Sequence, residues 1–523
     1  MIVPAASIDP PPDDKQTGRP SALWCLAALA LVVVLAVPFV LVDVPPVLDY
    51  PNHLARLFVL AHPDDPALSQ IYAPRWRILP NLGMDVLGAG LLQITSVHVG
   101  GRLLLALSLL APVIGVIAYH RAAFGRFSLW PLASGVIAFN GIFQLGFMNF
   151  LLSMGLALIG SALWLALRRH GWWAAVAGAS SVSVIFFAHL FGVILFALLI
   201  GGEEIAHWWR RWRAGLLTAR EVLRSMALLA ALGPAAVLFA LSPLSEGPAE
   251  IGEWHGAQKI WALLTPVMTT SIVLTLVTGF AVFIVFVLLR REARWSPGAL
   301  PGLAVLGIVF VLAPATIKNG TFVDVRLALM ITLVLFAAML PQIGRRTAMV
   351  VGLLFAALIA VRGGYIASTW IAHRADLADV RAALAPVQPL AKVLVVRGHP
   401  GNDTATPMPA RALPGIYRLD GHLGALLAIE RKAFWPNMFA DPAQQPLEVR
   451  QPYRAIAQSP GEPIDLPLLQ TDDAAAPGYI RNWRSSFDYV LLIDAPTPLP
   501  AINGLAVVKA TPYAVLYRVE RKR

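Results

Sequence analysis

Residues 23–56 read LWCLAALALVVVLAVPFVLVDVPPVLDYPNHLAR and join an apolar run to a cluster of polar side chains. From Leu23 to Val42 the run carries no charged residue, so it is long and apolar enough to cross a bilayer as one helix. No small-x-small cleavage site follows before the DVPPVLDYP stretch, which favours an uncleaved first membrane helix over a signal peptide. We therefore expect the rest of the chain to fold around membrane helices.

The composition extends this prediction to the whole chain. Of its 523 residues, 57% are hydrophobic and 14% are charged, and the mean hydropathy is +0.67. Soluble domains carry about 25% charged residues, and disordered chains combine low hydrophobicity with high charge, so both classes are excluded. The 41 Lys and Arg against 30 Asp and Glu favour basic cytoplasmic loops, not nucleic-acid binding. The lone cysteine, Cys25, excludes an intramolecular disulfide and a cysteine metal site.

Apolar runs predict about eleven membrane helices. They lie near 23–42, 101–119, 128–144, 149–167, 173–188, 190–206, 225–242, 262–289, 299–316, 327–341 and 348–368. The run 173–206 is too long for one ordinary span, so we predict two short helices that meet at His189. Residues 82–98 are interrupted by Asp85, Gln93 and His98, so we expect a re-entrant or interfacial helix there instead of a span.

The positions of the basic residues predict the orientation. With the N-terminus inside, the inside loops contain clustered Arg and Lys, and the short outside loops contain almost none, as the positive-inside rule requires. Counting 82–98 as a span would place HWWRRWR, residues 207–213, on the outside. We therefore predict a multi-pass protein of the bacterial inner membrane, with a cytoplasmic N-terminus and a periplasmic C-terminus.

The chain divides into three predicted regions. They are a disordered cytoplasmic tail over 1–21, a transmembrane module over 22–369 with a large first periplasmic loop over 43–100, and a periplasmic α/β domain over 370–523. In the last region, ADLADVRAALAPV (375–387) is typical of an amphipathic helix. KVLVV (392–396), FDYVLLI (487–493) and AVLYRV (514–519) are typical of short buried strands.

The segment LDYPNHLAR, residues 48–56, contains the strongest candidates for chemistry. On a helix, Asp49, His53 and Arg56 share one face through i+4 and i+3 spacing. Asp49 could then act as a general base on a hydroxyl, while His53 or Arg56 holds an anionic partner. The alternative is a solvated turn next to the membrane, in which the Asp before Pro51 caps a helix.

This layout resembles the GT-C superfamily, polytopic glycosyltransferases that use polyprenyl-phosphate sugars, such as protein mannosyltransferases and aminoarabinose transferases. The resemblance rests on one helix, an outside loop that opens with an acid and a nearby His, a many-helix body and an outside α/β tail. It implies that Asp49 is the essential acid and that His53 stands in the place of the family's His. The common second acid is Tyr50 here, so a role for a divalent metal stays open. Asp43 is the second candidate for the acid.

Two residues beyond this segment are further candidates. NGTFVDVRL, residues 319–327, leads into a span, and Arg326 would lie at head-group level, where an Arg can bind phosphate in two-point contact. The alternative is an interfacial Arg that reaches lipid phosphates. His189 could face the sugar phosphate, or it could be a hydrogen-bonded histidine at a helix end.

The predicted function is an inner-membrane glycosyltransferase that moves a sugar from a polyprenyl-phosphate donor to a lipid, glycan or protein acceptor on the periplasmic face. Asp49 would be catalytic, and His53, Arg56, Arg326, His189 and Asp43 would bind substrate. Its partners would be this donor, membrane lipid and the acceptor, without nucleic acid; no cofactor is certain. The alternative is a non-catalytic protein for glycan or lipid translocation or envelope assembly. An ion-coupled transporter is disfavoured because the spans lack midplane charges.

Overall fold

The computed structural model describes residues 18–246, 251–317, 320–398, 411–414, 418–459, 461–470 and 477–521. Most of the tail predicted to be disordered, residues 1–17, lies outside these ranges. The segment up to residue 384 is mainly helical, and the remainder is built around a small β-sheet.

The helices of the first half alternate between long apolar segments and short connecting pieces. They are α1 (Ala22–Ala36), α2 (Tyr50–Ala61), α3 (Leu68–Ile71), α4 (Gly83–Leu91), α5 (Val97–Phe124), α6 (Gly141–Leu145), α7 (Met148–Leu167), α8 (Trp172–Ala188) and α9 (Leu190–Arg213). The helices that follow are α10 (Ala219–Leu229), α11 (Gly233–Ala240), α12 (Lys259–Ala262), α13 (Ile272–Leu289), α14 (Ala299–Leu312), α15 (Val323–Ala338), α16 (Arg345–Leu384), α17 (Leu466–Gln470) and α18 (Trp483–Ser486).

Seven helical segments of the described chain are long and apolar enough to cross a membrane, and α8 and α14 are shorter apolar helices. The protein is therefore a polytopic helical membrane protein. The predicted break inside 173–206 is confirmed, because α8 ends at Ala188 and α9 begins at Leu190. His189 between them has an extended backbone, with φ −174° and ψ 144°. The helix α4 has nine residues, too few to span a bilayer.

The predicted span over 128–144 is wrong. The chain there forms a 3-10 helix from Trp130 to Ile137, followed by the short helix α6. Residues 138–140 separate the two, and the side-chain oxygen of Asn140 accepts a hydrogen bond from the backbone N–H of Phe143. All residues from 130 to 146 are buried. Irregular backbone at this depth is tolerated because protein, not lipid, surrounds it.

Two other predicted spans have different bounds. The membrane helix predicted over 262–289 begins only at Ile272, where the hydroxyl of Ser271 caps α13, and Pro266 lies in a 3-10 turn before it. The helix predicted over 327–341 runs from Val323 to Ala338 and ends where residues 339–341 form a strand. In both cases the hydropathy located the helix but not the residues at which it begins and ends.

The last span and the predicted helix over 375–387 are one helix, α16, which has 40 residues. The helix has no break at residue 369, and the division of the chain into domains there stays a prediction. No proline occurs between Pro341 and Pro386, so the helix contains no residue of this helix-breaking type before Leu384. Its far half packs on the β-sheet.

The strands form one five-stranded sheet and two short pairs. They are β1 (Tyr72–Pro74), β2 (Ala293–Trp295), β3 (Met339–Pro341), β4 (Val393–Arg397), β5 (Leu447–Val449), β6 (Ile464–Asp465), β7 (Tyr489–Ile493), β8 (Leu505–Ala510) and β9 (Ala514–Val519). The sheet order is β6-β4-β7-β9-β8, with β4 parallel to β6 and β7 and the other pairs antiparallel. The three predicted strands are thus confirmed as β4, β7 and β9.

The first loop and the tail are joined directly. β1 pairs antiparallel with β5, with Tyr72 opposite Val449. In addition, the side chain of Asn52 donates to the carbonyl of Asn437 at 2.9 Å and accepts from the backbone N–H of Phe439 at 2.8 Å. Asn52 is fully buried, so these contacts fix α2 against the tail.

Candidate active site

A cavity of about 510 Å³ lies where α2, the start of α7, the α8–α9 junction, the start of α15 and the tail meet. Its polar lining residues are Asp49, His53, Arg56, Asn81, Asn149, His189, Thr321, Arg326, Gln444 and Gln445. Its aromatic lining residues are Phe147, Phe150, Phe191, Phe239 and Phe439. The cavity therefore combines charged groups with an extensive aromatic wall.

Asp49 is held by its backbone. Its N–H donates to the carbonyl of Leu145 at 3.1 Å, and the N–H of Leu48 donates to Gln144 at 2.9 Å. Asp49 occupies the N-cap position of α2, but its side chain makes no capping hydrogen bond. The alternative interpretation of Asp49 as an ordinary capping residue therefore lacks its defining contact, and the carboxylate faces the cavity.

Arg56 lines the cavity, but its guanidinium is engaged by Asp85. Nε and Nη2 donate to the two carboxylate oxygens at 2.6 and 3.1 Å, and both side chains are almost fully buried. Sequence reasoning missed this partner, because Asp85 was interpreted only as an interruption of an apolar run. A paired, buried Arg56 has less to offer an incoming phosphate than the expectation assumed.

His53 is adjacent to Arg56, as the shared helix face predicts. Nη2 of Arg56 lies 3.1 Å from Nδ1 of His53. An arginine can only donate, so Nδ1 is the accepting nitrogen of a neutral imidazole. Burial and then the positive charge of Arg56 hold the pKa of His53 well below its usual value. His53 is therefore uncharged at neutral pH and contributes no cation to the site.

Arg326 is surrounded by aromatic rings at the start of α15. Its guanidinium carbon lies 4.7 Å from the ring centre of Phe147, 5.5 Å from Phe191 and 5.7 Å from Phe150. Its Nε is buried without a hydrogen-bond partner. Asp49 lines the same cavity. This is the arrangement of a cation that is held in place by ring faces and is available to an anion.

His189 lies in the same cavity, and its Nδ1 accepts a hydrogen bond from the backbone N–H of Phe191 at 3.2 Å. His189 thus caps the start of α9 as a helix-end histidine, and its contact with a sugar phosphate stays a prediction. Asp43 does not reach the cavity. It is half-exposed, lies 3.3 Å from Arg381 and borders a separate cleft beside α16.

A second residue that the sequence did not indicate is His422 in the tail. Its Nδ1 lies 3.2 Å from Oδ1 of Asp49. Its ring packs edge-on against Phe439 and Trp435, with ring centres 5.2 and 5.8 Å apart. No sequence motif predicts this contact, because it depends on how the tail folds back onto the first loop.

Groups of three or more His, Cys, Asp or Glu side chains that could hold a metal ion are absent from the described part of the chain. The structure brings together most of the six side chains that the sequence predicts for the site. Asp49, His53, Arg56, His189 and Arg326 share one cavity, and Asp43 lies elsewhere.

The comparisons with known proteins give structural neighbours only. No protein-family model matches the chain, and no curated protein matches it by sequence. The solved structure of ArnT from Cupriavidus metallidurans in the apo state is similar, with a TM-score of 0.47, 14% identity, and coverage of 95% of this chain and 98% of that one. The structure of that ArnT bound to undecaprenyl phosphate gives a TM-score of 0.45, 13% identity and the same coverage. Both of these structural neighbours are ArnT.

Proposed function

We propose that this protein is a membrane glycosyltransferase that moves a sugar from a polyprenyl-phosphate donor to a hydroxyl of a lipid, glycan or protein acceptor. The observation that carries the proposal is that Asp49 and Arg326 line the same cavity. A carboxylate that can accept a proton and a cation that can neutralise a leaving phosphate are the two groups that such a transfer requires.

The donor side of the cavity is the side that carries Arg326. The guanidinium suits a phosphate because it is planar, always charged and able to make two parallel hydrogen bonds. Ile194, Phe239 and Leu244 supply apolar surface in the same cavity. A lipid chain attached to the phosphate would find apolar contacts there.

The proposed reaction is a single displacement. The acceptor hydroxyl oxygen attacks the anomeric carbon of the sugar, and the bond from that carbon to the phosphate oxygen breaks. The bonding electrons leave with the polyprenyl phosphate, whose growing negative charge is stabilised by Arg326. The hydroxyl proton passes to Asp49. General-base assistance of this kind is worth about 10²–10⁴-fold in rate.

The proposed location is the bacterial inner membrane, with the cavity on the periplasmic face. Basic residues cluster at the helix ends remote from the cavity, at Arg168 and Arg169 after α7 and at the end of α9. The cavity lies at the opposite ends of these helices, near the start of α7 and of α9. The positive-inside rule then assigns the basic ends to the cytoplasm.

The test is a paired profile of glycolipids and surface glycans. Cells that lack the native gene would express the wild type, Asp49→Asn or the control Asp64→Asn at matched membrane levels, and their lipids and glycans would be compared by mass spectrometry. Asp64 is an exposed acid of the same loop. We expect a sugar-sized mass difference with the wild type and Asp64→Asn, and its loss with Asp49→Asn. Full product formation by a folded Asp49→Asn protein would contradict the proposed role of Asp49.

A further inference from the structure

We propose that His422, supplied by the C-terminal segment, is a positioning residue that orients the Asp49 carboxylate for proton abstraction. This inference rests on the proposed function and assigns a task to a part of the chain far from the first loop. It makes the tail a component of the active site, and not only a cover over the cavity.

The first argument is the contact itself. Nδ1 of His422 lies 3.2 Å from Oδ1 of Asp49, and the side chains are 5% and 15% exposed. A carboxylate can only accept, so the nitrogen that faces it carries the proton. Neither ring nitrogen of His422 has a hydrogen-bond partner, so the 3.2 Å approach to Asp49 is a close contact and not a formed hydrogen bond. Hydrogen bonds of catalytic groups are often poorly aligned without substrate and tighten when it binds.

The second argument is that the ring of His422 is held on several sides. Phe439 and Trp435 pack against it edge-on. Gly421, the preceding residue, lies so close to the first loop that a Cβ there would be 3.1 Å from Leu48. The imidazole is therefore held beside Asp49 by its packing against Phe439 and Trp435 and by the close approach of Gly421 to the Leu48 side chain.

The third argument is the ion network behind this turn. Both oxygens of Asp420 accept from Arg418, at 3.0 and 2.6 Å, and the hydroxyl of Tyr513 also donates to Asp420. Arg418 lies 2.7 Å from Asp494, which follows β7. The turn that carries His422 is thus anchored to the β-sheet, and the sheet is packed on α16.

This arrangement has a defined consequence for the reaction. A carboxylate that is free to rotate loses rate because the accepting oxygen is seldom in line with the acceptor hydroxyl, and small misplacements are costly. A proton donor on Oδ1 fixes the rotation of the carboxylate. His422 would therefore raise the rate of transfer without contacting donor or acceptor.

The experiment measures glycolipid formation in membrane vesicles from expressing cells, which contain the native donor and acceptor. His422→Ala should lower the rate about 10- to 100-fold. His422→Asn, which keeps an N–H donor, should retain more activity. Imidazole added to the vesicles should restore a large part of the His422→Ala rate, since it fits the space left by the ring. His62→Ala, at an exposed histidine of the same loop as Asp49, is the matched control.

A purely structural role for His422 predicts a different outcome. Loss of activity in His422→Ala that imidazole does not restore, or a wild-type rate in that variant while Asp49→Asn is inactive, would overturn the inference. An inactive wild type would instead refute the proposed function. In that case the inference is tested by NMR of the ring nitrogens of His422, recorded in labelled wild-type protein and in its Asp49→Asn variant. They should differ if the two side chains interact, and identical resonances would overturn the inference.

Discussion

Gly146 lies directly against Asp49. A Cβ at Gly146 would be 2.8 Å from the Cβ of Asp49 and 2.9 Å from its backbone nitrogen. Gly146 also has a positive φ of 89°, which non-glycine residues rarely adopt. The chain passes Asp49 at a distance that only glycine allows, so the position of the carboxylate depends on this residue.

The substitution Gly146→Ala should therefore remove most of the transferase activity. Gly125→Ala is the control, because Gly125 also has a positive φ, 73°, but nothing lies within 4 Å of its Cβ position. Both variants pay about 1–2 kcal/mol for the left-handed backbone, and only Gly146→Ala displaces Asp49. We expect a loss on the order of 100-fold for Gly146→Ala, measured as glycolipid formation. Equal activity in the two variants would show that the close contact is unimportant.

Removal of Arg56 should destabilise the protein more than removal of an exposed ion pair. Arg56→Met leaves Asp85 buried and unpaired, at a cost of about 3–5 kcal/mol. The control is Arg75→Met, since Arg75 is 56% exposed beside Glu448 and such pairs are worth about 0–1 kcal/mol. Thermal unfolding of the detergent-purified protein measures both. The double variant Arg56→Met with Asp85→Asn should recover part of the loss, and no recovery would contradict the unpaired-charge explanation.

Arg326 should determine binding of the lipid phosphate. Arg326→Gln removes the cation and should abolish detectable binding of a short-chain polyprenyl phosphate to purified protein. Arg326→Lys restores the charge but not the planar contact with Phe147, Phe150 and Phe191, so its affinity should be intermediate. Arg345→Gln, at an exposed arginine at the start of α16, should bind as the wild type does. Unchanged binding in Arg326→Gln would place the phosphate site elsewhere.

His53 should make the folded state sensitive to acid. Its pKa is held well below the usual value by burial and by Arg56, whereas an unfolded His has a pKa of about 6.5. As the pH falls below about 6.5, the unfolded chain takes up a proton that the folded chain does not, and stability falls by up to about 1.4 kcal/mol per pH unit. His53→Gln should therefore lose less thermal stability than the wild type between about pH 7.5 and about pH 5.

The matched variant for this measurement is His62→Gln, at an exposed position of the same helical loop. It should lose as much stability as the wild type over the same pH range. If His53→Gln and the wild type show the same acid sensitivity, another buried group is responsible.

Local sequence patterns predicted the features that depend on local structure. The break at His189, the strands β4, β7 and β9 and the shared face of Asp49, His53 and Arg56 all follow from hydropathy and spacing. The predicted helix over 128–144 failed because hydropathy reports burial, and this buried segment is surrounded by protein. The hydropathy also could not show that α16 continues beyond residue 368, where the apolar run ends.

The partners of the site residues required the tertiary structure. Asp85 neutralises Arg56 and His422 contacts Asp49, and both contacts join segments that are far apart in the sequence. Asp43 and Asp49 are both carboxylates that follow the first helix, and only the fold shows that Asp49 lines the cavity whereas Asp43 borders a separate cleft. A search for polar residues near the first loop could find Asp85, but no spacing rule points to His422.

The 40-residue helix α16 sets a constraint on how the chain can change during evolution. Such a helix is about 60 Å long, roughly twice the thickness of the hydrocarbon layer, and its far end packs on the sheet to which the His422 turn is anchored. Inserting one residue would rotate everything beyond it by about 100° and shift it by about 1.5 Å. Homologous chains should therefore vary in the exposed side chains of this helix but conserve its length.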